Sequence, residues 1–183
     1  MSGMNNNMDT KNSEFDFVPT HLAIQAMRDN GYRNTAHAIA ELMDNAIQAG
    51  AKHIELLCGE EEEYVRRQTR NRIKKLAVLD DGCGMDENTL RMALQFGNGT
   101  RLDDRKGIGR FGMGLPSSSI SQCRKMEVWT WTKTPDKCLY SQINLDDIEK
   151  HGQREVPEPV ESLLPEEWRS AAANLGRSGT LVV

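Results

Sequence analysis

The sequence predicts an α/β fold, and two observations predict it. Amphipathic helix patterns lead the chain, the strongest over residues 35–48. Short alternating or apolar runs at 52–58, 73–79, 125–133, 137–145 and 178–183 read as strands. With 183 residues the chain is long enough for one well-cored domain and short for two.

Residues 1–14 are polar and low in complexity and read as a disordered tail, which leaves 15–183 for the folded domain. Pro19 and Thr20 open a short amphipathic helix that runs to about Asp29, with proline suited to the first turn. Asn34 or Thr35 can cap the second helix. Its apolar set is Ile39, Leu42, Met43, Ala46 and Ile47, and Gly50 is placed to end it. Lys52–Cys58 alternates as a strand. The following stretch, 59–72, carries an acidic block and then a basic one, and reads as a solvated hairpin loop or a short charged helix. Ile73–Leu79 is the next strand, and Asp86 can cap a helix from Glu87 to about Phe96. Residues 97–112 are rich in glycine and charge without apolar period, as in a mobile loop. A helix from about Met113 to Gln122 precedes a strand pair turned at Thr134-Pro135-Asp136. A linker with three prolines then leads to a helix at about 165–175. The chain stops within its last strand pattern, as a fragment of a longer protein would.

Composition narrows the function classes. Hydrophobic content of 38% with 27% charge is ordinary for a soluble globular protein. A net charge of −4 argues against gripping DNA by charge alone. No 18 apolar residues run together and no signal peptide is visible, so a cytoplasmic protein is expected. Cys58, Cys83, Cys123 and Cys138 lie far apart without a CxxC pair, which reads as reduced thiols rather than a zinc site.

Three segments carry chemistry. On the second helix Glu41 and Asn45 are four residues apart and share a face: either a solvated pair, or a water-activating carboxylate beside an amide oxygen for Mg²⁺. Asp80-Asp81-Gly82-Cys83-Gly84-Met85 follows a hydrophobic strand directly. It is either a strand-end turn or a carboxylate that accepts from an adenine amine, over glycines that admit the base. Gly107 to Gly114 contains a literal G-x-G-x-x-G, yet Arg101–Lys106 (RLDDRK) precedes it where a dinucleotide fold needs a strand. No P-loop occurs. A flexible linker remains one reading of that segment, and a phosphate-holding loop entering a helix N-terminus the other.

Taken together the three segments resemble the GHKL ATPase superfamily, which includes gyrase B, the ninety-kilodalton heat-shock chaperones, histidine kinases and MutL. The resemblance covers roughly 19–122 plus the strand at 178–183. It implies a two-layer sandwich, a mixed β-sheet with helices on one face and ATP between helix layer and lid. By it, Glu41 is the general base, Asn45 the Mg²⁺ ligand, and Asp80 the adenine reader above Gly82 and Gly84, with Met85 in the same motif. Gly109, Gly112 and Gly114 would wrap the triphosphate within a lid at about 97–112. Lys106, Arg110, Phe111 and Met113 belong to that segment's cofactor-binding set, and Thr180 would support the adenine contact.

The detail of the motifs divides the family. ELMDNAIQAGA followed by DDGCGM is similar to MutL, whereas GRFGMGL looks more like the chaperone and MORC branches. The implied function is Mg²⁺-dependent ATP hydrolysis driving lid closure and self-dimerisation, with DNA or a client protein as target. The alternatives are a kinase-type transfer to a protein histidine, or a non-catalytic nucleotide switch. His21 and His37, on the leading helices, lack an obvious phospho-acceptor context.

Overall fold

A computed structural model of the protein describes residues 20–32, 34–65, 68–96 and 114–183. The tail at 1–14 and the expected lid at 97–112 lie outside the described residues, as do Lys106, Gly109, Arg110, Phe111, Gly112 and Met113.

Helix α1 spans Thr20–Asp29 and α2 spans Thr35–Gln48. Asn34 caps α2, its side chain accepting from the Ala36 amide at 2.7 Å, and Gly50 turns the chain away at φ +77°. The stripe that α2 buries is rotated from the expected one. Ala38 and Ala46 are buried and Leu42 packs on the core, while Ile47 is 62% exposed.

Strands β1 (Ile54–Val65) and β2 (Gln68–Asp80) form a long antiparallel ribbon. This corrects the expected loop or helix at 59–72. Glu61 stands opposite Arg72 and Glu63 opposite Arg70, so charges that weaken a lone strand are matched across the ladder. A register shift at Gly59/Glu60 marks where the ribbon leaves the body of the sheet.

Helix α3 (Glu87–Ala93) starts on Asp86, whose carboxylate accepts from the Thr89 amide at 2.8 Å. Helix α4 (Gly114–Gln122) leads into β3 (Lys125–Trp131) and β4 (Cys138–Asn144). Two elements stand where the sequence suggested only a linker, α5 (Leu145–His151) and β5 (Val160–Ser162). Helix α6 (Glu166–Ala171) is shorter than expected, and β6 (Gly179–Val182) completes the order. No helix among the described residues is long and apolar enough to cross a membrane.

The six strands lie in the order β1-β2-β6-β3-β4-β5. Every pairing is antiparallel where a mixed sheet was expected, because β6 inserts between β2 and β3 running opposite to both. Strand alternation splits the core in two. Val128, Met126, Ile143 and Val182 meet Ile24 of α1, Leu90 and Leu94 around α3, and Ile120 of α4. On the opposite face Trp129, Trp131, Leu79 and Leu181 are covered by Leu164 and by Trp168 of α6. The helices therefore lie on one face with α6 as the exception, since its indole covers apolar surface that would otherwise meet water. The expected α/β sandwich is the architecture found.

Candidate functional site

The sheet sets out one end of the site as a row. Asp80, the last residue of β2, pairs in register with Thr180 of β6, and Thr180 stands opposite Thr130 of β3. The row below is Val78, Val182 and Val128, so the three polar side chains share the helix-facing surface with the main core. Thr130 is fully buried. Its hydroxyl lies 3.0 Å from the Gly179 carbonyl and 3.1 Å from the Thr180 hydroxyl, and the Met85 amide donates to it at 2.9 Å. Thr130 is the residue that sequence reasoning missed. The available signal was a polar side chain at the inward position of the alternation Met126, Val128, Thr130.

The two adjacent aspartates differ in environment. Asp80 is 7% exposed, and burial pushes its carboxyl up to about 6, against the Gly82 and Thr180 backbone hydrogen bonds that favour the charged form. Asp81 instead accepts from the His53 and Lys52 amides at 2.8 and 2.6 Å and from the His53 ring, and is held at about 2. Asp81 ties the turn to the start of β1, and Asp80 is left facing the helix layer.

The loop after Asp80 follows a path that only glycine allows. Gly84 has φ +69°, and a Cβ built there would lie 2.1 Å from the Trp131 carbonyl oxygen. At Gly82 a Cβ would sit 2.8 Å from the Ala49 Cβ, so this residue packs under the end of α2. The Gly82 amide donates to Asp80 Oδ1 at 2.8 Å.

The other end is built by α2 and α4. A Cβ at Gly114 would lie 3.2 Å from Glu41 Oε2 and 3.9 Å from Asn45 Nδ2, so both side chains meet the first residue of α4. The spacing of four on α2 produces that convergence. Asn45 Nδ2 is buried and has no hydrogen-bond partner among the described residues. Burial, together with the nearby Glu41 carboxylate, raises the Tyr32 phenol above its ordinary value.

A cavity of about 330 Å³ joins the two ends. Asn45, Asp80, Gly84, Met85, Gly114 and Thr180 line it, under a roof from Thr89, Met92 and Ala93. Ligand pockets typically measure about 300–1,000 Å³. Of the described candidates, Glu41 and Gly82 stand outside this lining, Glu41 against Gly114 and Gly82 beneath the turn. A larger hollow of about 1200 Å³ opens between α1, α3, α5 and residues 153–157. It contains none of the candidate residues, so chemistry rather than size selects the smaller cavity.

The sequence pattern of the histidine kinase-, DNA gyrase B- and HSP90-like ATPases matches residues 32–173. The chain belongs to this family. GHKL relatives include mouse (Mus musculus) MORC family CW-type zinc finger protein 1, which is 34% identical over 69% of this chain and 13% of its own length. Human (Homo sapiens) ATPase MORC2 is 31% identical over 67% of the chain and 11% of its own length. The DNA mismatch repair protein MutL of Paramagnetospirillum magneticum is 30% identical over 55% of the chain and 16% of its own length. The chain thus spans under a fifth of each of these relatives. Among solved structures, the N-terminal domain of a DNA repair protein superposes with a TM-score of 0.53 at 17% identity, covering 88% of this chain and 38% of that one. That likeness is one of fold. Membership of this ATPase family supports nucleotide binding and ATP hydrolysis as the domain's chemistry.

Proposed function

We propose that the chain is the Mg²⁺-dependent ATPase module of a MORC-like machine, in which nucleotide-driven lid closure brings two copies together. The observation that carries this reading is the single cavity between Asp80 and Thr180 at one end and Asn45 and Gly114 at the other. Asp80 accepts from the adenine amine, with Thr180 beside it. Gly84 and Met85 pass along the base. The N-terminus of α4, at Gly114 and Leu115, receives the phosphates through backbone amides. By the family resemblance, Gly109, Gly112, Lys106, Arg110 and Phe111 of the 97–112 segment, with Met113 just after it, would contribute to phosphate binding.

Asn45 fits a magnesium site. Its buried amide has an unpartnered end toward Gly114, and rotation of an asparagine amide exchanges its nitrogen for its oxygen. Bound there, the ion supplies charge neutralisation on the phosphates. Glu41, against Gly114 and near Tyr32, takes the proton from the attacking water.

The relative named as an ATPase supports hydrolysis, and the MutL relative favours DNA over a client protein as the target. We read the setting as cytoplasmic, where free thiols such as the exposed Cys58 and Cys83 persist.

Titration of Asn45→Ala tests the metal assignment. Affinity for Mg·ATP should fall by at least about tenfold, with metal-free ATP nearly unaffected. Equal losses in EDTA and in magnesium would mean that the substitution damages α2 instead.

A further inference from the structure

We propose that Thr130 sets the hydrogen-bond polarity of the cavity's base end, and thereby selects a 6-amino purine over a 6-oxo purine. The inference rests on the nucleotide reading above and assigns to it a residue outside the three motifs. Each threonine hydroxyl has one proton to donate and two lone pairs. The Gly179 carbonyl can only accept, so at 3.0 Å it takes the Thr130 proton. Thr130 then has no second proton for Thr180, and the 3.1 Å contact between the hydroxyls requires Thr180 to donate. The Met85 amide donates to the remaining lone pair of Thr130 at 2.9 Å. Every valence of the fully buried Thr130 hydroxyl is used.

The consequence falls on Thr180, which lines the cavity with Asp80. Its proton is committed toward Thr130, away from the cavity, and its oxygen presents lone pairs there. Ionised Asp80 is also an acceptor, and its neighbouring Gly82 amide is already spent on Oδ1. Two acceptors side by side suit an exocyclic amine with two protons. A 6-oxo group would set a third acceptor against them, which leaves buried lone pairs unpaired. Thr130 touches no base in this arrangement. It is a positioning residue that acts through Thr180.

Calorimetric affinities for ATP and ITP, with wild type, Thr130→Val and Thr130→Ser, test the proposal. Wild type should prefer ATP, and Thr130→Ser should keep that preference because the hydroxyl remains. In Thr130→Val, Thr180 loses its acceptor and is free to turn its proton into the cavity, so the ATP-to-ITP ratio should fall by about tenfold. A merely structural role would weaken both nucleotides alike and leave the ratio unchanged, which overturns the proposal. Thr180→Ala removes the oriented acceptor itself and should lower the ratio similarly, so the test survives a Thr130→Val chain that does not fold. Wild type binding ATP and ITP equally would instead defeat the reading of Asp80 as adenine contact. Discrimination that persists in Thr130→Val and Thr180→Ala would defeat the Thr130 proposal alone.

Discussion

Replacing Glu41 with alanine is expected to leave ATP binding intact and to lower turnover by about 10²–10⁴-fold, the usual contribution of a general base. The carboxylate lies against Gly114, where α4 begins, and outside the lining of the cavity proposed for the nucleotide. Its loss therefore removes proton transfer and leaves the contacts that hold nucleotide. On the proposed closure-and-pairing cycle, the variant should accumulate in the closed, paired state, because hydrolysis would no longer reset it. Single-turnover kinetics alongside equilibrium binding separates the two effects. A variant that hydrolyses ATP at the wild-type rate removes Glu41 from the chemistry. Labelled phosphate appearing on a histidine would favour phosphotransfer instead.

The second large effect concerns Asp80 and has opposite signs for binding and stability. In Asp80→Asn the amide oxygen can still accept from Gly82, so the turn keeps its hydrogen bond. The amide nitrogen can then meet the adenine amine, donor against donor. ATP affinity should fall by at least about tenfold. The nucleotide-free domain should become more stable at neutral pH. A buried carboxyl raised to about 6 contributes stability below the ordinary carboxylate range, and that contribution is lost as pH rises through about 6. Ionised Asp80 thus costs the empty domain about 3 kcal/mol at pH 7, on the order of two pKa units. Thermal unfolding should show Asp80→Asn above wild type at pH 7 and level with it near pH 4. A variant less stable than wild type at pH 7 would mean that the charge is satisfied within the empty fold.

How much of this was legible beforehand depends on how local each signal is. Helix α2 was, because its cap at Asn34 and its stop at Gly50 are written within a turn of the residues they govern. The ribbon at 59–72 was not. Its acidic and basic blocks support strands only in the register that sets Glu63 against Arg70, and that pairing is invisible in either block alone. Helix α5 was missed despite local signals: Asn144 accepts from the Asp146 amide at 3.0 Å, and Gly152 ends the helix at φ +66°. The strand pattern that ran to 145 obscured them.

The candidate site divides in the same way. Glu41 and Asn45 share a helix face by spacing alone, and Asp80 ends a strand, so their types and positions were readable. Thr180 was expected to support the adenine contact only through the family resemblance; its place beside Asp80 follows physically from β6 inserting next to β2, some hundred residues away in sequence. Thr130 joins the row only because β3 flanks β6 on its other side. Strand order is a tertiary fact, and no window of sequence contains it.

Amide hydrogen exchange on the chain with and without Mg·ATP is the most direct test that both ends of the cavity hold one nucleotide. Protection is expected at two separated places together. One is the base end, in the turn 80–85 and the 179–181 segment. The other is the phosphate end, at the start of α4 from Gly114, whose amides gain phosphate partners. Protection confined to the larger hollow around residues 153–157, with both of those places unchanged, would contradict the account.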